Sequence, residues 1–144
     1  MSNSVLVAVD GSEGGERALR YAAQRAKLGG ARIIVAYVIE WSPYTFNTPE
    51  ENAERHMRRE QEIDKAASSV VAPAEALLTA EGIDCETVVL HGPPAETLIR
   101  LADKHDVQQI VVGRRGQSGI KSLIFGSVAG SLIQISPVPV VVVP

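Results

Sequence analysis

Short apolar, β-branched runs alternate with helical patterns along this chain, and that alternation limits its fold more than any other feature. Ser4-Val5-Leu6-Val7-Ala8-Val9 is an unbroken apolar run closed by Asp10-Gly11-Ser12, which reads as a buried strand ending in a turn. Ser12 caps a helix running to about Leu28, with Ala18, Leu19, Ala22, Ala23 and Ala26 as its apolar stripe and Gly29-Gly30 as its stop. Residues 31–39 form a second strand. Thr48-Pro49-Glu50-Glu51 is a capping box with proline at the first helical position, opening a long helix over residues 49–81. Ile63, Ala66, Ala67, Val70, Val71, Ala74, Leu77 and Leu78 share one face of it, and Pro73 should kink or interrupt it. Its first turns are mostly charged and project into solvent.

A third strand spans residues 85–90. His91-Gly92-Pro93-Pro94 turns into a helix that buries Ala95, Leu98, Ile99 and Ala102. Residues 107–112 are a fourth strand, 113–125 a glycine-containing loop, 127–135 a short helix, and 138–143 a fifth strand. Strict β-α alternation implies an α/β fold in one domain over residues 1–144: a parallel sheet with helices on both faces. Right-handed crossovers leave a doubly wound open sheet as the leading topology, with strand order 3-2-1-4-5. In such sheets ligands bind at the carboxyl ends of the strands where the order reverses. That order brings the turn after the first strand beside the turn after the fourth.

Charge follows the same division. All 17 Asp and Glu residues lie at or before Asp106, whereas the rest of the chain carries only Arg114, Arg115 and Lys121. A basic island in a chain of net charge −3 suggests a compact anion as partner and argues against a general nucleic-acid grip. The longest apolar runs fall far short of the ~20 residues of a membrane helix, so no membrane insertion is expected. The first residues lead straight into a strand without a signal-peptide pattern. One cysteine, Cys85, excludes an internal disulfide and suits a reducing cytoplasm.

The segment Gly113-Arg114-Arg115-Gly116, followed after nine residues by Gly126-Ser127, carries the chemistry. Glycines let backbone N–H groups curl around phosphate oxygens where a Cβ would intrude. Gly126-Ser127 opens a helix, whose N-terminal amides and dipole favour an anion, and Ser127 adds a hydroxyl donor.

Here the sequence resembles the universal stress protein family, whose nucleotide-binding branch has the pattern Gly, two residues, Gly, nine residues, Gly and Ser or Thr. Val7-Ala8-Val9-Asp10-Gly11-Ser12 resembles the family's opening strand and acidic turn. His91-Gly92-Pro93-Pro94-Ala95 is similar to its mid-chain turn. Ser127-Val128-Ala129 and Pro137-Val138-Pro139-Val140-Val141-Val142-Val143 resemble its last helix and strand. The resemblance covers the whole chain and implies binding of ATP, or of ADP or AMP. By position, Asp10 would lie beside the adenosine, with a water-mediated route to Mg as a further role. Val38 would offer backbone hydrogen bonds to the adenine edge, and Ala8 and Val9 would wall its pocket. Gly113, Gly116, Gly126 and Ser127 would hold ribose and phosphates together with the Val128 amide. The Arg114-Arg115 pair departs from the usual pattern: either it strengthens phosphate binding or it points outward. In the expected order Val138-Pro139-Val140-Val141-Val142-Val143 is an edge strand too apolar to leave exposed, so a homodimer through it is expected, and the resemblance supports this.

The leading function is a nucleotide-binding regulatory protein of the stress response that signals occupancy to an unidentified partner protein. The alternatives are a slow Mg-dependent ATPase and an AMP or cyclic-AMP sensor. Nothing in the sequence resembles a positioned nucleophile–base pair, so turnover is not required. Trp41, Tyr44 and Phe46 read as packing residues in preference to an adenine lid. His56, His91 and His105 lack metal-ligand spacing: His56 sits on a charged helix face and His105 near a helix end. Cys85 reads as a small core residue. Gly119-Ile120-Lys121-Ser122 lacks the Gly-Lys-Ser/Thr run of a P-loop.

Overall fold

In the computed structural model, which describes residues 3–40, 48–116 and 126–144, strand β1 (Ser4–Ala8) is shielded along its length. A strand covered on both faces belongs at the centre of a sheet, and β1 pairs in parallel with β2 (Arg32–Ile39) on one side and β4 (Gln109–Gly113) on the other. β3 (Cys85–His91) and β5 (Val140–Val143) form the two edges. The order is β3-β2-β1-β4-β5, as the alternation predicts.

The strands send alternate side chains into two cores. Val5, Val7, Val9, Ile33, Val35 and Val111 pack with Ala18, Leu19, Ala22, Ala23 and Ala26 of α1 (Glu13–Gly29) and with Ala74 and Leu78 of α3 (Ala72–Ala80). Leu6, Ile34, Ala36, Ile110 and Val112 pack with Leu98, Leu101 and Ala102 of α4 (Pro94–Lys104) and Ala129 and Leu132 of α5 (Ser127–Ile135). Burying side chains such as Leu6 and Leu132, each 0% exposed, contributes about 1.5–3 kcal/mol apiece. The two layers hold the sheet rigidly beneath its carboxyl-end turns.

The segment expected as one helix over residues 49–81 is three pieces: α2 (Pro49–Ala66), a π-helical turn (Ala67–Val71) and α3. Pro73 has no N–H to donate, and its ring crowds the carbonyl four residues back. The ladder widens just before it, with Ala72 N–H reaching the Ala67 carbonyl. The wide turn adds a residue to the register, so Ala66 and Val71, five apart, are both buried. Ala67, expected on the buried face, is consequently exposed. The capping box at Thr48 and Glu51 forms as read: Glu51 N–H donates to Thr48 Oγ1 at 3.1 Å, and Thr48 N–H to Glu51 Oε2 at 3.2 Å.

Four strands are shorter than expected, β2 beginning at Arg32 and β4 running from Gln109 to Gly113. β1 stops at Ala8, and β5 begins at Val140 because Pro139 has no N–H for a ladder, although its carbonyl accepts Ile110 N–H at 3.0 Å. Among the described residues no helix is long and apolar enough to cross a membrane.

Candidate functional site

The site begins where β1 ends. The β1–β2 ladder runs to Ala8 opposite Ala36, and Val9 N–H donates to the Ala36 carbonyl at 2.9 Å. Backbone groups along β2 alternate between neighbours, and the Ile39 carbonyl faces β3, where it accepts Gly92 N–H at 3.0 Å. Val38 therefore turns its N–H and C=O toward the β1 side, beyond the last residue of β1. An exposed donor–acceptor pair of this kind can read the edge of a flat heterocycle.

The β1–α1 turn is fixed by its own side chains. Asp10 Oδ1 accepts the Ser12 N–H at 2.9 Å and the Ser12 hydroxyl, while Ser12 Oγ caps α1 by accepting Gly15 N–H at 3.1 Å. This turn meets the β4–α5 connection at backbone distance. A Cβ on Gly113 would lie 2.6 Å from the Gly14 carbonyl carbon and oxygen, and one on Gly14 would enter the Arg115 carbonyl. A Cβ on Gly116 would lie 2.6 Å from Asp10 Oδ2. Glycine is needed here for close approach, with chain packed against chain. Gly14 and Gly15 were not singled out in the sequence. Glycines in a helical first turn carry a propensity cost there, and that cost is the signal that would have found them.

On the other side, Gly126 N–H donates to the Arg114 carbonyl at 2.7 Å and closes the glycine segment onto the start of α5. Gly126 occupies the N-cap without a side-chain cap, so the amides of Ser127 and Val128 have no acceptor within the helix.

These pieces surround a cavity of about 300 Å³ at the carboxyl ends of β1, β2 and β4. Ala8, Val38, Leu98, Val112, Val128 and Ala129 form an apolar wall toward the α4–α5 side. Asp10, Ser12, Gly113, Arg115, Gly116, Gly126 and Ser127 form a polar wall, and Val9, Tyr37, Ile39 and Glu40 complete the rim. The fold thus gathers Ala8, Val9, Asp10, Val38, Gly113, Gly116, Gly126, Ser127 and Val128 around one space. Arg114 is outside it: its side chain is exposed, and its N–H and C=O are committed to Val143 (2.7 Å) and Gly126. Arg115, the next residue, is the arginine that lines the cavity.

Tyr37, also missed in the sequence, sits on the same strand as Val38 with its side chain on the opposite face. Burial pushes its phenol pKa up, and the negative charges of Asp10 and Glu62 push it further. Trp41, Tyr44, Phe46 and Lys121, and the segment 119–122, lie outside the described residues.

The histidines are dispersed. His56 Nε2 is 3.1 Å from Glu60 on exposed α2, His91 Nε2 is 2.8 Å from Glu62, and His105, capping α4, has Nδ1 3.6 Å from Glu86. Among the described residues no three His, Cys, Asp or Glu side chains are grouped to hold a metal. Cys85 is half-buried against the α1-side core, and burial raises its thiol pKa.

A family model described as the universal stress protein family matches residues 1–144. Universal stress protein YxiE of Bacillus subtilis is 32% identical over 147 residues, with 99% of each chain covered. The structure of hypothetical protein MJ0577 superposes with a TM-score of 0.81, covering 99% of this chain and 96% of that one; at 24% identity this is a likeness of fold. A universal stress protein in complex with cAMP has a TM-score of 0.64 and 27% identity, with 99% and 96% covered. One from Archaeoglobus fulgidus in complex with dAMP has a TM-score of 0.61 and 26% identity, with 100% and 98% covered.

Proposed function

The chain belongs to the universal stress protein family, and from that premise we propose that it is an adenine-nucleotide-binding regulatory protein that reports occupancy of the cavity to a partner protein. The observation that carries this reading is the uncapped N-terminus of α5 opening onto the same cavity as the free backbone edge of Val38. One end suits phosphate and the other suits a purine edge, with an apolar wall between them for the ring.

In this reading Ala8 and Val9 flank the adenine, Val38 hydrogen-bonds its edge, and Asp10 lies beside the ribose. Gly113, Gly116, Gly126, Ser127 and the Val128 amide hold the phosphates. Arg115 takes the cationic role at that end, and Arg114 is left to solvent. ATP, ADP and AMP are the ligand class. Mg²⁺ enters with the longer phosphate chains, because such ions are held by one or two carboxylates together with substrate phosphates. Asp10 fits as a water-mediated contact, since its Oδ1 already accepts two bonds from Ser12.

The relatives holding cAMP and dAMP favour a second reading, a sensor of monophosphates. Titration of ATP with Mg²⁺, AMP and cAMP into the protein separates the two. Tighter binding of ATP supports the first, and ATP failing to displace the monophosphates supports the second. Product analysis over hours tests slow ATP hydrolysis, which would appear as ADP in proportion to protein. The exposed edge at β5 further supports a homodimer by strand pairing across a twofold axis, which sedimentation at tens of micromolar tests. The single cysteine supports a cytoplasmic location.

A further inference from the structure

The connection between β2 and β3 holds a feature that nucleotide binding leaves unused. Of the 18 residues of α2 only Ala66 is buried. At its end the helical ladder is interrupted by the π turn and Pro73, the kind of break at which helices bend. The hydroxyls of Ser68 and Ser69 donate to the Lys65 carbonyl at 3.1 and 2.6 Å, bracing the break.

One turn before it, Glu62 Oε2 meets His91 Nε2 at 2.8 Å. The Glu62 side chain is 56% exposed and that of His91 only 11%, so an outlying helix is fastened to a nearly buried group of the sheet. His91 is the last residue of β3, and its ladder partner is Ile39. Ile39 and Tyr37, on the same face of β2, both line the cavity. Tyr37 also feels the charge of Asp10 from the cavity and of Glu62 from the arm. A continuous set of neighbours therefore leads from the cavity rim to α2.

We propose that Glu62 is a positioning residue: through His91 it latches α2 onto the ends of β2 and β3, so that docking of α2 and nucleotide occupancy of the cavity favour each other, with the π turn as hinge. This inference rests on the nucleotide-binding reading above. The latched arm holds the Tyr37–Ile39 wall in its ligand-ready place, which lowers the ordering cost of binding. By reciprocity the bound nucleotide stabilises the latched arm by the same factor.

The test is calorimetric titration of AMP into the full chain and its Glu62→Ala and Glu62→Gln variants, with hydrogen exchange followed across residues 55–66. Glu62→Ala is expected to weaken AMP binding about fivefold or more. Glu62→Gln keeps an acceptor for His91 and is expected to fall between. AMP should slow exchange in α2 of the wild type and not of Glu62→Ala. Should the alanine variant fail to fold, the glutamine variant carries the same comparison. Equal affinities, with exchange in wild-type α2 unmoved by AMP, overturn the coupling and leave the nucleotide reading standing. A wild-type protein that takes up none of AMP, ATP or cAMP overturns both.

Discussion

The glycine seam of the cavity and the outlying helix α2 are built on opposite physical plans. At the seam between the β1–α1 turn and the β4–α5 connection, backbone touches backbone at glycines 14 and 113, Gly116 lies against the Asp10 carboxylate, and none of the three leaves space for a methyl group. On the other side α2 stands in solvent, ending at a π turn and touching the sheet through Glu62 and His91. The seam is a place where geometry must not change, as suits a phosphate cradle whose donors have to be aimed in advance. The arm is held by few contacts and has low local stability, which is where elements that move are found.

Substitutions should separate the plans. The largest effect is expected in α3, the packed half of the β2–β3 connection: Leu78→Ala removes a side chain 0% exposed in the α1-side core and should cost about 2–5 kcal/mol in a urea titration. Gly113→Val drives a side chain into the Gly14 backbone. It should cost about 1–3 kcal/mol as overpacking and reduce nucleotide affinity at least tenfold by calorimetry. Survival of full affinity in that variant would show that the seam tolerates movement.

On the arm, Thr48→Ala removes the capping box. It should speed hydrogen exchange in the first turns of α2, by about 1 kcal/mol of local stability, and leave the global urea midpoint in place. Met57→Ala, at a position 58% exposed, should change stability by no more than about 0.5 kcal/mol. A large effect there would mean that α2 is covered in solution.

Tyr37 gives a pH signature. Its folded-state pKa is raised, so the stability it contributes is complete below the ordinary value of 10.0 and is lost as pH climbs through the higher folded value. Tyr37→Phe should flatten the alkaline decline in the urea midpoint relative to the wild type.

The sheet order was legible because each strand centres on an apolar, β-branched stretch punctuated by a turn, and only a few crossovers satisfy the handedness rule. The glycines that line the cavity, Gly113, Gly116 and Gly126, were legible because glycine spacing reports backbone approach. The break at 67–71 was half legible: Pro73 signals interruption, but the type of turn depends on which carbonyls find donors, and that decided the exposure of Ala67. Tyr37 and the Glu62–His91 contact were not legible, since they join residues distant in sequence and depend on the register between β2 and β3. That Arg115 and not Arg114 lines the cavity was not legible, since the two are adjacent in sequence and only the path of the folded chain separates them.

The most direct test of the nucleotide site is an amide NMR titration of the protein with AMP. The account predicts shifts concentrated at Val38, Gly113, Gly116, Ser127 and Val128. An unchanged spectrum, or shifts gathered instead in the groove of Arg20, Lys27 and Glu81 between α1 and α3, would contradict it.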